Sequence, residues 1–228
     1  MTSKRKPRAT KRRPAVRKPS VRSQEGLRVA FGAAQIARRV RSMAREIERD
    51  VQGKPLVVVG VLENCFMFMA DLVRQIKSPV ACQFVRAEIH DETSAAGGPV
   101  RAIHYIPKFE ATGKDVLLVD GILQSGLTLD HLIRSLELQG ARSVRTATLI
   151  EKTDELKTDV RRDYVGFKTR GKFLMGYGLS DRSGSCRNLP YIAARTGASF
   201  SYRRDLDASA RMRRTQGEAP RDGTGKNS

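Results

Sequence analysis

Tryptophan is missing from these 228 residues, and cysteine and histidine appear only three times each. Cys65, Cys82 and Cys186 are odd in number and far apart, so they suggest neither a disulfide framework nor a metal knuckle. A reducing compartment is the simplest reading. His90, His104 and His131 are scattered too, which argues against a histidine-based metal centre. No run of about 20 apolar residues is present, so no membrane-spanning helix is expected. The basic start is not followed by the apolar core of a signal peptide. These absences together predict a cytoplasmic protein with no membrane partner.

Acidic residues are absent from "MTSKRKPRATKRRPAVRKPSVR", residues 1–22. That stretch holds Lys4, Arg5, Lys6, Arg8, Lys11, Arg12, Arg13, Arg17, Lys18 and Arg22, ten of the surplus nineteen positive charges, leaving +9 for the rest. Such a run binds RNA or DNA through counterion release, with strong salt dependence and little sequence preference. No aromatic is interleaved, so base stacking by this segment is not expected. Low apolar content predicts disorder for residues 1–25. A second polar tail, residues 198–228, lacks apolar periodicity. One domain of ordinary size, 26–197, lies between the tails.

Within that domain the hydrophobic pattern alternates between two periods. Ile36, Val40, Met43, Ala44 and Ile47 recur at helical spacing. "PLVVVGVL" (55–62), "VACQFVRAEI" (80–89), "DVLLVDGI" (115–122), "SVRTATLIEK" and "DYVGFK" read as strands, several of them continuous runs suited to burial on both faces. "ENCFMFMADLVRQI" reads as a helix with Phe66, Met69, Ala70 and Val73 on its inner side. Residues 90–100 read as a polar, mobile loop, and "VRAIHYIP" as a short extra strand. In "LTLDHLIRSLELQGA" a helix faces inward through Leu129, Leu132, Ile133 and Leu136, and Gly140 ends it. Strands alternating with helices predict a mostly parallel α/β sheet. Ligands then sit beyond the carboxyl ends of the strands, a rim that takes in Leu62–Cys65, Asp120–Thr128 and Glu151–Lys152.

"VDGILQSGLTL" (119–129) carries a strand into a helix through Ser125, Gly126, Leu127 and Thr128. Backbone N–H groups and two hydroxyls there can cradle a phosphate, with Gly126 admitting the ligand close to the backbone. An ordinary strand–helix turn with a Ser/Thr cap would look the same.

Taken with "VGVLENCFMFMADLVRQI", "KFLMGYGL" and "CRNLPYIA", this segment resembles the hypoxanthine–guanine phosphoribosyltransferase family from about Ile36 to Ala193. The resemblance implies the type I phosphoribosyltransferase fold with a small hood built from the segments before and after the core. It implies transfer of ribose 5-phosphate from phosphoribosyl pyrophosphate (PRPP) to a purine, with Mg2+, and assembly as a dimer or tetramer. Asp120 matches the first acid of the family's PRPP loop, and Ser125, Gly126, Leu127 and Thr128 its 5′-phosphate cradle. Lys152 matches the lysine that reads the purine's exocyclic oxygen, Phe173 the stacking aromatic, and Leu174 the neighbouring backbone contact. Arg187 matches an arginine on the pyrophosphate side, and Asp120 or Asp181 would serve the metal.

The departures from the family pattern fall together. Gln124 stands where the family has the aspartate that accepts the purine's proton, and losing a positioned base typically costs ~10²–10⁴ in rate. Gly121 replaces the second acid. Leu62-Glu63-Asn64 replaces Leu-Lys-Gly in the pyrophosphate loop, and "EIH" replaces the Ser-Tyr pair near residues 88–90. At about 5 Å and an effective dielectric of ~20, reversing one charge beside an anion turns roughly 3 kcal/mol of attraction into repulsion. This pattern predicts a purine-nucleotide binder with weak or lost transferase activity. The alternatives are an active purine-salvage enzyme, or a nucleotide-sensing regulator that holds nucleic acid through the basic tail. Restoring Asp at 121 and 124 is expected to raise activity.

Overall fold

The computed structural model describes residues 27–93, 99–106, 109–181 and 183–195, with side chains from 87 to 108 outside the description. The two tails, 1–25 and 198–228, lie outside the described residues. Twelve elements follow in order: β1 (Leu27–Phe31), α1 (Ala33–Val51), β2 (Leu56–Leu62), α2 (Phe66–Val73), β3 (Val80–Thr93), β4 (Pro99–Ile106), β5 (Asp115–Leu123), α3 (Leu127–Leu138), β6 (Ser143–Lys152), β7 (Tyr164–Thr169), β8 (Leu174–Met175) and β9 (Ile192–Arg195). The main sheet runs β4-β3-β2-β5-β6-β7. Five of its strands are parallel, and β4 pairs antiparallel with β3 at one edge.

The strands that read as buried on both faces behave so. Val58, Leu117, Val119 and Leu149 pack into the cluster that holds α1 and α2. Val59, Val61, Val116 and Leu118 pack on the opposite face against Leu129, Leu132, Ile133 and Leu136 of α3. Each fully buried aliphatic side chain contributes roughly 1.5–3 kcal/mol. The inward face of α1 is the expected one, Ile36, Val40, Met43, Ala44 and Ile47, extended by Val51.

Two expectations are corrected. Helix α2 faces inward through Phe68, Met69 and Leu72, while Phe66 and Ala70 are exposed and Val73 is only partly buried. Its apolar side chains crowd both sides of an eight-residue helix, so periodicity alone does not fix the phase. The described ends of the stretch 90–100 are strand and not loop: β3 continues through Thr93, β4 begins at Pro99, and His90 pairs with Val100.

A second sheet, β1-β9-β8, joins the first described strand to the last. Leu27 pairs with Arg195 and Leu174 with Ala194. This is the hood expected from the segments before and after the core. None of its three strands stood out in the sequence. Among the described residues, no helix is long and apolar enough to cross a membrane.

Candidate functional site

Parallel pairing aligns the carboxyl ends of β2, β5 and β6. Gly60 is level with Val119, and Leu123 with Glu151. The loops that follow these strands share one rim, where Leu62–Cys65, Asp120–Thr128 and Glu151–Lys152 were expected.

After β5 the chain turns through Ser125 into α3, whose N-cap is Gly126 at φ 79°. A left-handed residue there favours glycine. A Cβ at Gly126 would also lie 3.0 Å from Thr158 Cγ2 and 3.1 Å from Val160 Cγ1. The 158–160 segment therefore accounts for the glycine, which sequence reasoning assigned to ligand approach. No side chain caps α3. The cap that an ordinary strand–helix turn would use is not made, and the hydroxyls of Ser125 and Thr128 have no protein partner among the described residues. Uncapped amides of the first helical turn beside two free hydroxyls are groups that can donate to an anion.

On the next strand, Lys152 is buried, only 3% exposed. Its Nζ donates to Glu155 Oε1 at 2.6 Å, and Gln124 Nε2 donates to Glu155 Oε2 at 3.3 Å. Glu155 was not among the sequence candidates. It gives the buried ammonium a counterion that neutral Gln124 cannot supply, as burial requires. Phe173 is half-buried just before β8, and its carbonyl accepts the N–H of Arg195 at 3.2 Å. Leu174 is buried in the hood sheet.

Opposite these groups, the Leu62–Glu63 peptide is cis. Arg187 fastens the loop: Nη1 donates to Asn64 Oδ1 at 2.9 Å and to the Gly178 carbonyl at 2.6 Å, and Nη2 donates to Glu63 Oε2 at 2.9 Å. Arg86, level with Leu62 on β3, reaches Glu63 Oε1 at 3.4 Å. Glu63 thus takes up the cationic groups of Arg187 and Arg86. The Asn64 carbonyl lies against Gly121, where a Cβ would fall well inside van der Waals contact, and a Cβ at Gly178 would lie 2.9 Å from the same oxygen. Gly121 is therefore fixed by packing. A simple return of Asp at 121 does not fit, contrary to the expectation from sequence.

Burial pushes the Asp120 carboxyl up to about 7, against N–H groups of Ile122 and Gly121 that lower it. Burial, and then Asp120, push the Cys65 thiol up to about 12, so Cys65 is a buried small hydrophobe rather than a nucleophile. Asp181 Oδ1 accepts the N–H groups of Ser183 and Ser185 at 2.9 and 2.8 Å and the Ser183 hydroxyl at 2.7 Å, and the Cys186 thiol reaches Oδ2 at 3.7 Å, so its own turn engages it. Among the described residues no three Asp, Glu, His or Cys side chains form a metal-holding group. With Asp181 Oδ1 bonded within its own turn and glycine at 121, these residues bring no group of carboxylates together to hold magnesium. The backbone of residues 88–90 lies in β3, and their side chains are outside the description.

Residues 32–182 match the family model described as a phosphoribosyl transferase domain. A Dictyostelium discoideum hypoxanthine-guanine phosphoribosyltransferase is 37% identical over 168 residues, 72% of this chain and 92% of that protein. One from Aquifex aeolicus is 35% identical, over 73% of this chain and 93% of its own. A crystal structure of a hypoxanthine-guanine phosphoribosyltransferase from Bacillus anthracis superimposes with a TM-score of 0.65 at 33% identity, covering 74% of this chain and 97% of that one.

Proposed function

From the premise that the chain belongs to the hypoxanthine–guanine phosphoribosyltransferase family, we propose that it binds purine mononucleotide and transfers ribose 5-phosphate from PRPP only weakly. The 5′-phosphate is held at Ser125, Gly126, Leu127 and Thr128. The base lies between Lys152 and Phe173, with the backbone at Leu174 alongside. One observation carries the reading: the Glu63 carboxylate, in the loop that the resemblance assigns to pyrophosphate, is bonded to Arg187 and close to Arg86. These pairs are about half-exposed at Glu63, and each such pair is worth under ~1 kcal/mol. The obstacle is the sign of the charge. At about 5 Å the repulsion of an incoming anion ranges from ~0.8 kcal/mol in water to roughly 3 kcal/mol in a half-shielded cleft.

Calorimetric titration with GMP, IMP and PRPP in parallel tests this. The monophosphates are expected to saturate the site and PRPP to bind poorly. Glu63→Lys should strengthen PRPP by roughly tenfold, about 1.4 kcal/mol, with little effect on GMP. Wild-type protein that binds PRPP as tightly as GMP overturns the reading.

A second reading, persistent purine-salvage transfer, is favoured by Glu155. Its carboxylate is within hydrogen-bonding distance of residue 124. From there it can take the purine's proton in place of the missing aspartate.

A further inference from the structure

Helix α1 divides its charges unevenly. Its three acids are all engaged. Glu46 accepts from Arg39 at 2.6 Å and from the Ser42 hydroxyl at 3.2 Å. Glu48 Oε1 accepts the N–H groups of Lys77 and Ser78 at 2.8 and 2.9 Å. Asp50 accepts the Tyr164 hydroxyl. Arg39 turns the other way and donates to the Val165 and Gly166 carbonyls of β7.

The remaining arginines, Arg38, Arg41, Arg45 and Arg49, are exposed. None makes an ion pair or a side-chain hydrogen bond with a described residue; Arg49 meets Glu46 only as a distant charge. At ~100° per residue the four fall within an arc of about 80°, and they extend about 16 Å along the helix. Like charges three and four residues apart destabilise a helix. The sequence keeps three such pairs in a row, and apart from the field between Glu46 and Arg49 no acid relieves them. A partner with its own line of negative charges would relieve them.

We propose that the outward face of α1 is a nucleic-acid docking strip, with Arg38, Arg41, Arg45 and Arg49 taking successive phosphates of one strand. The rises between them, about 4.5, 6 and 6 Å, suit charges repeated along a phosphodiester chain. Arg presents a planar fork of donors to each phosphate. No aromatic lies among the four, so the strip reads charge and spacing, with no base identity. A second copy of this chain is a poor occupant, because the same cations would face each other. This site is separate from the nucleotide cleft and does not depend on how that cleft is read.

The test uses the full chain against a single-stranded RNA, a single-stranded DNA and a DNA duplex of equal length, with affinity measured across a salt series. The strip variant replaces Arg38, Arg41, Arg45 and Arg49 by Gln. A control variant removes the same charge elsewhere by replacing exposed Arg74, Lys77, Lys114 and Arg134 with Gln. A chain lacking residues 1–22, with and without the strip substitutions, separates the basic segment from the strip. Four lost phosphate contacts should lower the slope of log affinity against log salt by about 3 to 4 and weaken low-salt binding roughly 100-fold. That loss in the strip variant, much smaller in the control and still present without residues 1–22, is the expected result. Equal loss in both variants would reduce the effect to net charge and overturn the proposal. So would a strip variant that binds like wild type, or a wild-type chain that ignores all three nucleic acids at low salt. Anionic vesicles serve as a further arm; strip-dependent binding to them as strong as to RNA would also overturn the assignment to nucleic acid.

Discussion

Glu155 is the residue whose role changes most once the chain is folded. A buried ammonium needs a partner, and truncating one side of a fully buried pair costs about 3–5 kcal/mol. Glu155 is 33% exposed, so solvent screening lowers the expected cost of Glu155→Gln to about 1–2 kcal/mol, read as a shifted urea midpoint. The same variant separates the two functional readings. If Glu155 takes the purine's proton, turnover falls a further ~10²–10⁴ while GMP affinity changes little. If transfer is already lost, only stability moves. Gln124→Asp alone would set a second carboxylate toward Glu155 and favour a shared proton. The double variant Gln124→Asp with Glu155→Gln is therefore the better restoration.

Asp120 supplies a pH dependence at the same scale. Its folded value of about 7 lies above its ordinary 3.8. Between those values the native state keeps a proton that the unfolded chain has released. The stability tied to the neutral acid is therefore full below about pH 4 and is lost as pH rises through 7. Asp120→Asn should flatten that decline in thermal unfolding between pH 4 and 8. An unchanged profile would place the carboxyl in contact with water.

At the level of elements, the β2–α2 loop and β5 are fitted to each other at Gly121. Any side chain there displaces the Asn64 carbonyl, and with it the Arg187 bonds to Asn64 and Gly178. Gly121→Asp is expected to cost about 1–3 kcal/mol as overpacking and to give no gain in transfer. Adding Asn64→Gly should recover part of the stability by letting the loop backbone withdraw. A single variant as stable as wild type would show that the loop moves freely. This coupling was invisible in the sequence, where residues 64 and 121 are remote. The long elements were legible because burial on one or both faces writes a period into the chain: α1, α3 and the runs of β2, β5 and β6. The phase of helix α2 differs from the expectation because seven of its eight residues are apolar and a single polar residue, Asp71, marks the outer side weakly. The hood strands were missed because they are short and paired across the whole domain, Leu27 with Arg195. Around the candidate site, the strand-to-helix turn after β5 and the place of Lys152 at the end of β6 could be read locally. Arg86 and Glu155 could not, because sheet order sets Arg86 beside the Glu63 loop and a turn brings Glu155 back to residue 124.

For the molecule as a whole, the decisive contact is the one that closes the chain on itself. β1 and β9 pair antiparallel, and Phe31 at the end of β1 stacks on Phe167 of the main sheet with ring centroids 4.3 Å apart. The buried side chains Ile192, Ala193 and Ala194 lie in the strand that β1 covers. By sequence, residues 1–25 bring mainly charge, and 198–228 bring few apolar groups. A chain trimmed to 26–197 is therefore expected to unfold cooperatively within about 2 °C of the full chain at moderate salt, because the trimmed segments add little apolar burial. A chain that starts at Gly32 loses β1, uncovers one edge of β9 and removes half of the aromatic stack. It should lose several kcal/mol, a fall in midpoint of roughly 5–10 °C for a domain of this size. Nucleotide affinity gives the second readout. The hood carries Leu174 and follows directly from Phe173, so removing β1 should weaken GMP along with stability, whereas trimming the tails should leave GMP binding intact. A 26–197 chain that fails to fold would mean that the outer segments contribute to the core; a chain starting at Gly32 that binds GMP normally would mean that the hood is dispensable to the site.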